Sequence, residues 1–140
     1  MRPHPVMTLI QQADAAISAE DFDALMTFYA ENAVLVVEPG RTARGKAEIR
    51  RAFEAIARHF GNVLTVTQGE GQVIEGADTV LVVMETFLHF GDAEPITRRA
   101  TYVFARDDAD GWLCTVDNSY GTSLLDLPEA GSSQEPEAQR

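Results

Sequence analysis

A single cysteine, Cys114, stands in the 140-residue chain, so no intrachain disulfide can form and an oxidising compartment is not required. Basic residues are scarce as well: 11 Lys and Arg face 22 Asp and Glu, a net charge of −11. That charge repels phosphate backbones and anionic membrane surfaces over about 8 Å at physiological salt, which argues against nucleic acid as a partner. No apolar run approaches the ~20 residues of a membrane-spanning helix. The opening stretch, MRPHPVMTLIQQADAA, also lacks the uninterrupted apolar core of a secretory signal. A cytoplasmic protein that engages neither nucleic acid nor membrane is expected. The three histidines, His4, His59 and His89, are scattered, with no carboxylates at ligand-like spacing, so no metal is expected. A serine nucleophile elbow, a phosphate-cradling glycine loop and a dinucleotide fingerprint are missing, which leaves hydride and phosphoryl transfer without support and no cofactor expected.

What is present is a core. An apolar share of 45% suffices for one domain and not for two. That domain is expected over residues 1–128, with a solvated tail, 129–140, in the Pro-, Glu-, Ser- and Gln-rich ending LPEAGSSQEPEAQR. Three helices come first. Val6, Leu9, Ile10, Ala13 and Ile17 form a one-sided stripe over 5–19, opened by Pro5. Asp21 is the N-cap of a second helix, with Phe22, Leu25, Met26 and Tyr29 on its inner face. Gly45 and Gly61 bracket a third, from Lys46 to Phe60.

From Asn62 onward the apolar period becomes two. VLTVT, QVIE, TVLVVMETFLHF, RRATYVFAR and WLCTVDNSY read as a meander of strands separated by Gly- or Asp-rich turns. An earlier strand ends at Glu38, and PGRTARG, 39–45, reads as a loop to the third helix. The layout predicts an α+β fold in which helices cover one face of a curved antiparallel sheet. Pairing Arg106 with Trp112 puts Val82, Met84, Ala100, Tyr102, Phe104, Cys114, Val116 and Asn118 on an inward, even-numbered face. The odd-numbered face, with Glu85, Phe87, His89, Arg99, Thr101 and Asp117, is then outward and suits a homodimer contact. Asp117 serves that contact, or reaches the inside if the register moves by one residue.

Several of these stretches resemble a known family. DFDALMTFYAENAVLVVEPGRTARGKAEIRRAF and GWLCTVDNSYGTSLLD are similar to the nuclear transport factor 2-like superfamily, in particular its ketosteroid isomerase-like and SnoaL-like bacterial domains, over roughly residues 6–125. The resemblance implies a cone-shaped curved sheet packed on three N-terminal helices, a cystatin-like α+β roll. It also implies a pocket between sheet and helices, and dimerisation through the convex face. In ketosteroid isomerases an Asp before a Pro at the matching strand end shuttles a proton, and VVEPG places Glu38 there. The tyrosine that such isomerases carry on the first helix is absent, with only Ala13 and Asp14 in the matching region, so steroid isomerisation is disfavoured.

Glu38 and Asn118 are therefore the candidate chemical residues, expected to face one largely apolar cavity. Tyr29, Phe60, Met84, Tyr102 and Tyr120 are the candidate substrate-binding residues. A small-molecule binding domain with a central apolar pocket is one reading, its partner a small apolar or weakly polar ligand. The other is an acid-base enzyme of isomerase, cyclase, dehydratase or hydrolase type. It would act on a small carbonyl-containing substrate with Glu38 as base.

Overall fold

The computed structural model describes residues 4–109 and 111–126; the expected tail lies outside them. Three helices, α1 (Pro5–Ala19), α2 (Phe22–Met26) and α3 (Lys46–His59), pack on a six-stranded sheet. Its strands are β1 (Tyr29–Glu38), β2 (Arg41–Arg44), β3 (Leu64–Glu75), β4 (Thr79–Phe90), β5 (Ile96–Arg106) and β6 (Trp112–Asn118), in the order β2-β1-β6-β5-β4-β3. A short 3-10 turn, Gly121–Leu125, follows. The sheet is curved and unclosed, as the α+β expectation had it.

Two of the helices begin where the capping chemistry directs. Pro5 opens α1, whose backbone N–H at Val6 is capped by His4 Nδ1 at 3.2 Å. Asp21 accepts from Ala24 N and caps α2. That helix is one turn long, and Tyr29, expected at its end, is instead the first residue of β1. Buried Val6, Ile10, Leu25, Phe53, Val82, Phe104 and Cys114 join helices and sheet in one core. Burial also pushes the Cys114 thiol up from its ordinary value.

Strands β3 to β6 form the antiparallel meander expected, except that VLTVT and QVIE, expected as separate strands, are one strand, β3, with an irregularity between Gln68 and Gly71; β1 joins β6 in parallel. PGRTARG is not a simple loop, because Arg41–Arg44 turns back to pair with β1 as β2. The even-numbered inward face holds on β4 and β5, where Val80, Val82, Met84, Ala100, Tyr102 and Phe104 are buried. It fails on β6. Phe104 pairs with Cys114 but Val103 with Val116, a bulge that leaves Thr115 as the extra residue. Beyond it the faces exchange: Asp117 is buried and Val116 is 37% exposed. A second irregularity falls between Val36 and Glu38 on β1. Earlier on β1, Ala33 and Leu35 are the buried residues, and Val34 is only half-buried.

Candidate functional site

Between the concave sheet face and helices α1 and α3 lies a cavity of about 480 Å³. Its wall is mostly apolar, with Ile10, Ile17, Phe53, Ile56 and Leu88 among the lining side chains. Of the sequence candidates, Glu38, Tyr29, Phe60, Tyr102 and Tyr120 line it. Two do not. Met84 is buried in the core beside it. Asn118, turned by the β6 bulge, exchanges hydrogen bonds with the backbone of Gly121: its Nδ2 donates to the carbonyl and its Oδ1 accepts from the N–H. The inward place expected for Asn118 belongs to Asp117.

The inner end of the cavity carries two carboxyl groups. Asp14, on α1, is 8% exposed and Asp117, on β6, is 2% exposed. Tyr29 donates to Asp117 Oδ2 at 2.5 Å, and the Ser119 hydroxyl donates to its other oxygen. Gln68 Nε2 donates to Asp14 Oδ2 at 2.7 Å, and the Thr86 hydroxyl in turn donates to Gln68 Oε1. These bonds favour the ionised acids, but burial outweighs them. The Asp14 carboxyl is pushed up from 3.8 to about 7, chiefly by desolvation and further by the charge of Asp117. Desolvation raises Asp117 as well. The phenols of Tyr29 and Tyr102 are also held far above their ordinary range, first by burial and then by Asp117.

Charged groups at the open side are differently placed. Glu38, with 39% of its side chain exposed, is met by Arg41 at 3.4 Å. Arg98 stacks over the Tyr120 ring at 4.4 Å, and exposed His59 stands edge-on to Phe60. Sequence reasoning missed Asp14 as a site residue, although the signal was there. It sits between Ala13 and Ile17 on the buried stripe of α1, where a carboxylate has no structural reason to be. Gln68 and Thr86 lacked any such signal, since polar residues on β3 and β4 are common on a half-wet sheet.

Residues 6–115 match the SnoaL-like domain family, and the chain belongs to it. No curated protein matches it by sequence. Among solved structures it is similar to Aln2 from a Streptomyces species, with a TM-score of 0.73 at 15% identity over 84% of this chain and 92% of that one. A nuclear transport factor 2-like protein with a cystatin-like fold from Novosphingobium aromaticivorans gives 0.70 at 18% identity, covering 87% of each chain. A candidate ketosteroid isomerase from Shewanella frigidimarina gives 0.67 at 17%, over 79% and 90%. At such identities the likeness is one of fold, and it establishes the nuclear transport factor 2-like, cystatin-like α+β architecture. Among the described residues no helix is long and apolar enough to cross a membrane.

Proposed function

We propose that the domain binds a small, mostly apolar molecule in this cavity, with the molecule's polar end against Asp14 and the Tyr29–Asp117 pair. The observation that carries the proposal is the placement of two buried carboxyl groups at the inner end of an apolar cavity of about 480 Å³. Apolar side chains there would avoid the cost of burying polar groups, about 1–3 kcal/mol each. A volume of that size is typical of small-molecule sites. The test is thermal stabilisation by a panel of bicyclic and tricyclic compounds, repeated on Ala52→Trp, which puts an indole at the cavity wall. Stabilisation of the parent that is lost in the variant supports the reading. Equal response of both proteins, or none, overturns it.

A second reading, proton transfer on a small carbonyl compound, is favoured by one feature. A carboxyl held at about 7 both takes and gives protons near neutral pH. Asp14 is then the base instead of Glu38, which stands at the entrance beside Arg41. Exchange of α-hydrogens for deuterium in cyclic ketones, followed by NMR and abolished in Asp14→Asn, would support turnover; exchange unchanged by that variant would exclude Asp14.

We further infer a homodimer formed through the outward sheet face. Leu81 and Val116 are exposed there, alongside Phe87 and Arg99 on the same side. Light scattering should give twice the 15.3 kDa chain mass, and a monomer mass at micromolar concentration contradicts it. The cytoplasm suits the lone reduced thiol of Cys114.

A further inference from the structure

We infer that the cavity selects a molecule whose polar end is a protonated amine, carried on an apolar body, and seats that ammonium against Asp14. The inference rests on the cavity being a binding site, as proposed above, and adds the chemical class of what it binds.

The donors and acceptors at the inner end do not balance. The Tyr29 and Ser119 hydroxyls both donate to Asp117. The Thr86 hydroxyl donates to Gln68. Tyr102 is bonded to Ser119 and Thr86, and its single hydrogen can go to only one of them. The Tyr29, Ser119 and Thr86 hydroxyls are thus each turned onto a protein acceptor. Gln68 Nε2 reaches Asp14 Oδ2 from behind the wall, since Gln68 itself does not line the cavity. Asp14 Oδ1 has no partner among the described residues. Where Asp14 is ionised it offers a ligand only an acceptor, which a group bearing N–H satisfies; a ligand oxygen with no hydrogen is met by a donor there only while Asp14 keeps its proton.

Charge points the same way. Two carboxyls face the inner end, and among the described residues no cationic side chain accompanies them. Arg41 has 65% of its side chain exposed and pairs with Glu38; Arg98 lies on Tyr120; His59 is exposed beside Phe60. Buried carboxylates are ordinarily compensated by a paired cation, and an ammonium supplies it. The walls favour the same group, because Phe28, Tyr29, Phe53 and Tyr102 line the cavity and aromatic faces attract a desolvated cation.

The experiment compares three probes that share one bicyclic body: 2-naphthylmethylamine, 2-acetonaphthone and 2-naphthoate, titrated calorimetrically into the parent protein and Asp14→Asn. For the parent, the amine should bind at least about tenfold more tightly than the ketone, with the carboxylate weakest, as expected for a charge-assisted hydrogen bond set against a neutral one. In Asp14→Asn the amine should lose roughly 10- to 100-fold while the ketone changes by less than about threefold. Circular dichroism establishes that the variant is folded, and the comparison of probes on the parent stands without it. Tighter binding of the ketone or the carboxylate, with affinity lost in Ala52→Trp, overturns the amine assignment and leaves the cavity as a binding site. Failure of all three to bind overturns both.

Discussion

Asp14→Asn should make the protein more stable, and only above a definite pH. Asp14 is 8% exposed, and its carboxyl titrates at about 7 in the folded chain against 3.8 as the ordinary value. The folded state thus holds this proton over a range where the unfolded chain has released it. Stability is therefore undiminished below about pH 4, falls as pH rises between the two values, and levels off above the folded one. Three pH units at 1.36 kcal/mol each amount to about 4 kcal/mol, an upper figure because Asp117 shares in the interaction. An asparagine carries no such penalty and keeps an oxygen for the Gln68 amide. Thermal melts at pH 5 and pH 8 read the difference. Near pH 5 only part of the cost has accrued, about 1.5 kcal/mol. At pH 8 the variant should exceed its parent by a further ~2.5 kcal/mol, or roughly 8 to 12 °C in Tm for a domain of this size. If the gap between variant and parent is the same at both pH values, Asp14 does not bear a buried charge and the electrostatic account of the cavity is wrong.

Two further substitutions address the groups around it. Tyr29→Phe removes the 2.5 Å bond to Asp117 and should cost about 1–3 kcal/mol. The loss in urea denaturation should grow as pH rises through the titration of Asp117, which burial holds above its ordinary value, since the ionised acid gains most from the donor; a pH-independent loss would contradict this. Gly121→Ala places a Cβ 2.5 Å from the Arg99 carbonyl oxygen at a φ of +86°. It should cost roughly 2–4 kcal/mol, and a variant as stable as the parent would show that the Asn118–Gly121 turn is misplaced.

Much of the architecture is legible in residue order. The stripe of α1, the capped start of α2, the glycine-bracketed α3 and the alternation along β4 and β5 each reflect local chemistry that tertiary packing reinforces. The illegible parts are of two kinds. Strand β2, Arg-Thr-Ala-Arg, has no apolar alternation and exists because β1 offers an edge to pair with. The parallel contact of β1 with β6 joins residues far apart in sequence, which no local pattern reports. The site was misread for a narrower reason. One extra residue at Thr115 exchanges the faces of the strand end, so Asp117 and not Asn118 turns inward, and a bulge leaves no compositional trace. Asp14 was readable, since a carboxylate on the buried stripe of an amphipathic helix is the kind of local conflict that accompanies function.

The most direct test of the site is a titration of the Asp14 carboxyl carbon by 13C NMR, on the free protein and with saturating 2-naphthylmethylamine. A value near 7 in the free protein, falling by at least about one unit in the complex as the ammonium favours the carboxylate, is the predicted result. An Asp14 that titrates near 4 would contradict the assignment of this cavity as a site built around a buried acid, and one whose titration is the same with and without the amine would contradict the seating of an ammonium on it.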